Sequence, residues 1–545
     1  MEIKNINKLI LYSFFLIYLI IGLITLKDYG VNIEEHTQIY SGFYWLNYIF
    51  DFFEIEFLKD DLNLILQKIS SDKNLPNPAK FTYGPVFDVP TAYLDLLLGN
   101  SDNYSQYKLR HVLVFIIYYF STIVFFKLLQ KRFNNFFIVF FGTLLFIFSP
   151  RIYGDSFHNN KDIIFLSLIV FSIYFAFKMF EKKKIKYLFL FSFFAALATS
   201  TRVMGLFLPI SVVLFLYLQT LNSLSDKNHK YYFLIIIFYI VSLVIHWPYL
   251  WEDPFSNFFE FILKSKNWVY SYYILFNDKY LLTTNLPDSF LFTWIGISSP
   301  IFNIILFLLG FFFITRRLFN RFINIEKDKI YNCDFWRGKN EMKDNFMTFN
   351  IISIVSILVF ANVSLVSGWR HLYFLNVFII YIAVYFLRLL LIKFKSYKKI
   401  FFITCLILFI PNIHKIILFH PFQSLYLNEL ITQKNKNNYL MDRDGLTRLH
   451  SVKKILSLSN KEKNINIANA SFIPYYRIKN TLNESDQSRL NFIGGDYKNA
   501  DYIYNNFVYE IDPKFNDKYE IPDNFKKIYE LKINGIKMYE IWFKD

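Results

Sequence analysis

The sequence predicts a polytopic α-helical membrane protein of about eleven transmembrane helices with a small C-terminal external α/β domain. Three observations carry that expectation. Apolar residues make up 54 % of the 545 residues and gather in runs such as LILYSFFLIYLIIGLITL, HVLVFIIYYFSTIVFF and NVFIIYIAVYFLRLLLI. The segments between runs alternate between strongly basic and short mixed ones. From about Pro421 the texture turns polar, with only short apolar stretches.

The first run follows Lys4 and Lys8. Its apolar part is longer than a signal-peptide core, and no small-residue cleavage pattern precedes Lys27, so it reads as a retained span. The spans fall approximately at residues 7–26, 112–129, 135–150, 163–180, 186–200, 204–221, 231–249, 296–315, 349–366, 372–392 and 399–419. The connections KLLQKRFNN, EKKKIK, TRRLFNRFINIEKDK and LIKFKSYKK are basic, whereas SPRIYGDSFHNNKD and SGWRH are mixed. The positive-inside rule therefore puts the N-terminus in the cytoplasm, and an odd span count puts the C-terminus outside. Segments 27–111, 149–162 and 250–295 are external on the same reading.

The formal net charge of +16 is accounted for by these loops, so nucleic acid is not an expected partner. Cys333 and Cys405 are the only cysteines and build neither a disulfide framework nor a Cys metal site. The expected division is a membrane domain over 1–420 and an external α/β domain over 421–545. In the latter, TRLHSVKKILSL reads as a helix and INIANA, LNFIGG and DYIYNN as strands. Asn534-Gly535, between the alternating runs of IYELKINGIKMYEIW, signals a hairpin.

Five stretches on the external side carry chemistry-bearing residues. VNIEEHTQIYSG places Glu34, Glu35 and His36 directly after the first span. Adjacent carboxylates there are either a solvated span terminus or a site, and neither is expected inside a packed core. SPRIYGDSFHNNKD packs Arg151, Asp155, His158, Asn159, Lys161 and Asp162 into one turn, a charge density that marks a polar helix cap or a site at membrane depth. ATSTRVMG supplies Arg202, and SGWRH supplies Arg370 and His371. Outer-face arginines run against the orientation bias, and a guanidinium fork matches a lipid phosphate or anchors at the interface. HWPYLWEDPFSNFFEF reads as an interfacial aromatic helix. Its His246 and Glu252 are two isolated divalent-metal candidates, too few to define a site.

These stretches, in this order and sidedness, resemble the GT-C glycosyltransferases, in the branch of protein O-mannosyltransferases and lipid A aminoarabinose transferases. IEEHTQIYSG is similar to the acidic motif after span one of that family, and FTYGPVFDVPTAYL to its YGP-type segment. SPRIYGDSFHNNKDIIFLSL, LATSTRVMGLFLPI, TNLPDSFLFTWIGISSP, SGWRHLYF and HPFQSLYLNEL resemble its later stretches. The likeness spans roughly 1–430. One departure is Glu34, where the family most often has Asp, which leaves open whether Glu34 or Glu35 is the base.

The resemblance implies transfer of a sugar from a polyprenyl-phosphate donor, with inversion, to an acceptor on the external face of a bacterial inner membrane. The acceptor is a protein, a lipid or a polysaccharide, and membrane lipids are the other partners. It implies Glu34 as general base, Glu35 orienting the base or binding acceptor, and Asp155 or Asp162 as the second-loop acid. Lys161, Arg202 and Arg370 are candidates for the lipid phosphate, Arg370 mainly on the outer-face argument. His36, His158 and His246 are candidate acceptor or metal contacts. A divalent metal serves some relatives and not others.

Overall fold

The computed structural model describes residues 2–70, 81–222, 229–266, 272–323, 335–360, 365, 368–459 and 464–545. Cys333 lies outside the described residues. The chain begins as α1 (Glu2–Thr25), an apolar helix that satisfies its own backbone groups. Segment 27–111 then folds as α2 (Glu35–Phe52), α3 (Lys59–Ser70) and α4 (Asp88–Leu98) before the long α5 (Asn103–Gln130). Asp102 starts α5 by accepting from Ser105 N at 2.9 Å, and Asn135 starts α6 (Phe136–Ile147) by accepting from Ile138 N at 3.1 Å. Each cap satisfies a backbone donor that the first turn leaves open.

Pro150 opens the short α7 (Pro150–Asp155), where its missing N–H costs nothing. α8 (Asp162–Glu181), α9 (Ile185–Thr201), α10 (Phe207–Asn222) and α11 (His229–His246) follow. The stretch expected as one interfacial helix is divided: His246 ends α11, Pro248–Leu250 is a 3-10 turn, and α12 (Pro254–Lys266) follows with Phe255 and Phe259 exposed. A β-hairpin comes next, β1 (Tyr273–Phe276) and β2 (Lys279–Leu282) around Asn277 and Asp278, both at positive φ.

The span expected at 296–315 is two helices, α13 (Ser289–Ser298) and α14 (Ile301–Ile323). Pro300 disfavours helical geometry at the residue before it, and Ser299 is extended. α15 (Lys339–Phe360) starts earlier than expected, followed by α16 (Leu375–Lys393) and α17 (Lys398–Leu418). Among the described residues, eight helices are long and apolar enough to cross a membrane. Four shorter apolar helices join them, at Phe136–Ile147, Ile185–Thr201, Lys230–His246 and Ser289–Ser298. The protein is an integral membrane protein.

α16 is the central helix, buried along most of its length. α14 crosses it closely, because Gly310 lets the backbones meet; a Cβ there would come within 2.2 Å of the Ile382 carbonyl oxygen. α8 packs between α5 and α9, and α9 against α11. The ends of α5, α8 and α9 that carry His111, Asp162 and Thr201 are thus held together, and the site residues sit there.

The C-terminal part begins with α18 (Arg448–Leu458) and β3 (Ile465–Asn469), followed by α19 (Glu484–Arg489). β4 (Leu490–Gly494), β5 (Tyr502–Asn505), β6 (Phe525–Ile533) and β7 (Ile536–Lys544) complete a sheet of order β4-β3-β5-β7-β6. β3 is parallel to both its neighbours, and β6–β7 is the hairpin that Asn534-Gly535 signals. Both turn residues have positive φ, which Asn and Gly tolerate best. The sheet unit is anchored on the first loop. Arg448, fully buried, donates to the carbonyls of Val31, Gly445 and Pro474, and Ile33 N donates to Asp444 O at 3.0 Å.

Candidate active site

The two glutamates part company at the start of α2. Consecutive helical residues point about 100° apart, so one faces the packed interior and the other does not. Asn32 fixes the turn: its side chain accepts from Glu34 N at 2.9 Å, and its own N–H donates to Glu35 Oε1 at 2.6 Å. Glu35 is only 1 % exposed, and its Oε2 meets His111 Nε2 of α5 at 2.9 Å. The expectation that neither acid lies in a packed core fails for Glu35, which ties α2 to α5. An acceptor-binding role does not suit a carboxylate so enclosed.

Glu34 has a side chain 49 % exposed although protein surrounds it at longer range. Its Oε1 accepts from Arg370 Nη2 at 2.6 Å, and Oε2 has no donor among the described residues. Burial alone would raise its pKa. The positive charge of Arg370, with His371 and Lys161 beyond it, outweighs that and holds the carboxyl well below the usual range.

Arg370 is the hub, 3 % exposed on a short 3-10 turn before α16. Besides Glu34 it meets Asp162 Oδ2 through Nε at 3.1 Å and Asp444 through Nη1. A guanidinium shared by three carboxylates is poorly placed to take a phosphate as well. With all three arms so engaged, these contacts support a role for Arg370 in positioning acids rather than in holding phosphate.

Asp162 opens α8, and its second oxygen pairs with Arg202 at the end of α9. Asn159 bridges the second-loop acids, donating at 3.0 Å to both Asp155 and Asp162. Asp162 is therefore enclosed by Arg370, Arg202 and Asn159. Asp155 lies deeper, 1 % exposed beside His158 at 3.7 Å, and burial raises its pKa. Neither acid opens toward a substrate as Glu34 does.

Lys161 and Arg202 remain as phosphate candidates. The Lys161 ammonium sits 3.4 Å from the centroid of the Tyr83 ring, and burial with the nearby Arg202 charge pushes its pKa down to about 8. Tyr83 is positioned by the next residue. Gly84 N donates to Ser200 O at 2.9 Å, and a Cβ on Gly84 would lie 2.4 Å from that of Ser200, so only glycine admits this approach. Arg202 is 14 % exposed, with Nε unpaired among the described residues.

The candidate histidines are not gathered at Glu34. His36 is buried against the Tyr107 hydroxyl, and His246 meets Ser200 and the Ser242 carbonyl beneath the Gly84 contact. Glu252 contacts the Tyr48 hydroxyl. His158 is enclosed, and burial pushes it down to about 3, so it is neutral. Among the described residues no group of three or more His, Cys, Asp and Glu side chains is arranged to hold a metal ion. The acids near Glu34 are engaged by guanidiniums instead, so the residues present do not fit a metal centre.

Asp444 was not among the sequence candidates. It reaches Arg370 from the far end of the chain, and its pKa rises to about 6 through burial, which Arg370 only partly offsets. Its neighbour Asp442 holds the turn ahead of α18, accepting from Leu446 N and Thr447 N.

Residues 106–247 match a family described as dolichyl-phosphate-mannose-protein mannosyltransferase. That interval holds Asp155, Lys161, Asp162 and Arg202. No curated protein matches the chain. Among solved structures it is similar to ArnT from Cupriavidus metallidurans in the apo state, at 10 % identity and TM-score 0.47, over 99 % of this chain and 98 % of that one. The same protein bound to undecaprenyl phosphate gives 10 % and 0.45, over 97 % of each chain. The Archaeoglobus fulgidus oligosaccharyltransferase in complex with Zn and sulfate gives 10 % and 0.44; 78 % of this chain matches and spans 59 % of that one. Likenesses this loose transfer no residue role.

Proposed function

We propose that this chain is a membrane glycosyltransferase of the GT-C type, which moves a sugar from a polyprenyl-phosphate donor to a hydroxyl acceptor on the external face, with inversion and with Glu34 as general base. The observation that carries the reading is the contrast among the acids. Glu34 alone of the four candidates is half exposed, ionised, and beside two partly open cations.

In the reaction the acceptor oxygen attacks the anomeric carbon and the bond from that carbon to the phosphate oxygen breaks. Polyprenyl phosphate departs with the bonding electrons. The acceptor proton passes to Glu34 Oε2 while Oε1 stays on Arg370. Lys161 and Arg202 offset the charge gathering on the leaving phosphate. A low pKa weakens Glu34 as a base, yet keeps it ionised at every working pH. A hydroxyl becomes acidic only as it attacks, so a base that is already ionised suffices. Attack opposite the phosphate inverts the anomeric centre.

The test is incorporation of label from a polyprenyl-phosphate sugar by sealed vesicles of known sidedness. Label should reach only acceptor presented on the external side, and reporters at Lys183 and Lys514 should report opposite sides of the membrane. Transfer to acceptor on the cytoplasmic side alone sinks the topology. No transfer from any polyprenyl-phosphate sugar sinks the donor class.

The two shifted groups that frame the site also set a pH dependence. Asp444 is charged above about 6 and Lys161 below about 8. Acidification neutralises Asp444 and loosens Arg370; alkali neutralises Lys161 and weakens the phosphate contact. The expected kcat/KM profile is a bell between those values, with Glu34 ionised throughout. In Lys161→Arg the alkaline limb should move up by more than one pH unit, since an arginine does not titrate there. An alkaline limb unmoved by that substitution removes Lys161 from the phosphate site.

A further inference from the structure

The opposite end of the same helices carries a second charged cluster that the transfer reaction does not use. Asp344 of α15 is fully buried and accepts from Arg132 Nε and Nη2 at 2.7 and 2.8 Å, from Arg317 at 3.1 Å and from the Tyr381 hydroxyl at 2.9 Å. One residue away on each strand of the contact, Lys131 and Lys343 share Glu181 at 3.0 and 2.8 Å. Arg388 of α16 stands close enough to feel Arg132, Asp344 and Arg317, yet has no hydrogen-bonding carboxylate among the described residues.

Five cations therefore face two carboxylates. The C-terminal ends of α5, α8, α14 and α16 meet here, and helix dipoles of about half a charge each offset about two-thirds of this excess. The remainder is about the charge of one phosphate. Arg317 and Lys131 are 21 % and 31 % exposed, so an anion can reach the cluster. Arg132 and Arg317 both lie over the Tyr385 ring, at 5.8 and 5.4 Å, which fixes two of the forks. Arg388 lies about 20 Å along α16 from its Arg370 end, in the last turns of a candidate span, where lipid headgroups lie.

We propose that Arg388, Arg317 and Lys131 bind a phosphate-bearing anion, the headgroup of an anionic phospholipid, at the end of the helix bundle opposite Glu34. Asp344 and Glu181 serve to hold the neighbouring cations in place, so the site is preformed rather than assembled by the lipid. The positive-inside bias explains basic residues at this end, but not three guanidiniums converging on one saturated carboxylate from three elements.

Native mass spectrometry of the full-length protein, titrated with phosphatidylglycerol, phosphatidylcholine or inorganic phosphate, tests it. Phosphatidylglycerol should be retained in preference to phosphatidylcholine. Arg388→Gln should weaken that retention by about tenfold, the effect of one charge-assisted phosphate contact. Arg388→Lys, which keeps the charge, should restore most of it and controls for folding. Lys186→Gln, at an exposed lysine outside the cluster, should leave it unchanged. Equal retention by Arg388→Gln and the unaltered protein overturns the site, as does an equal loss in Lys186→Gln. Saturation by inorganic phosphate, with no preference between the two lipids, overturns the lipid as its source.

Discussion

Glu34→Gln is expected to lower sugar transfer by about 10²- to 10⁴-fold, the usual loss of a general base, with donor binding retained. The amide keeps the size of the side chain and its hydrogen bond from Arg370, but it cannot take the acceptor proton. Arg370 stays anchored by Asp162 and Asp444, so the site keeps its shape. The half-exposed position makes misfolding an unlikely source of the loss, and an unchanged thermal midpoint checks this. Glu35→Gln should behave oppositely. It removes a buried charged partner of His111 and should cost about 1–3 kcal/mol of stability, while folded protein retains most activity. Full transfer by Glu34→Gln, or a Glu35→Gln protein that is stable but inactive, would reverse the assignment of base between them.

The second large effect belongs to Arg370. Arg370→Ala leaves Glu34, Asp162 and Asp444 facing one another without their shared cation. Removing one partner of a buried ion pair typically costs about 3–5 kcal/mol, because the charge left behind has no solvent to turn to. Asp162 keeps Arg202, and Glu34 is half open, so the loss should fall mainly on Asp444 and on the seat of the C-terminal sheet unit. The expected result is a lower thermal midpoint and early proteolysis between the membrane helices and that unit. Arg370→Ala/Asp444→Asn, which removes the charge that suffers most, should recover part of the midpoint. A single variant as stable as the unaltered protein, defective only in donor affinity, would return Arg370 to phosphate binding.

Different parts of this picture were legible to different degrees. The apolar runs gave helices at the predicted places, with 296–315 divided into two and 349–366 described as helix only to Phe360, because a run of that length in a bilayer has no other way to satisfy its backbone. The Asn534-Gly535 turn gave its hairpin for an equally local reason. Asn277-Asp278 inside YILFNDKYLL is a comparable local signal, and both residues take positive φ in the β1–β2 turn. Ser299-Pro300 was likewise visible as a break, and the apolar residues on both sides masked it.

The candidate site was legible as a set of residues and illegible as a set of roles. Glu34, Asp162, Lys161, Arg202 and Arg370 carry charge at span ends, a cost that sequence alone exposes. The sequence by itself determined a helical membrane protein with its candidate site residues in a few stretches at span ends, since hydropathy, length and local turn chemistry are properties of neighbouring residues. Tertiary structure decided which glutamate stays open and which is buried, that Arg370 serves three carboxylates, and that Asp444 joins it from 74 positions further along the chain. Those outcomes depend on where helices cross and on which charges are left without water. Burial and pairing are set by residues distant in sequence, so no local pattern encodes them.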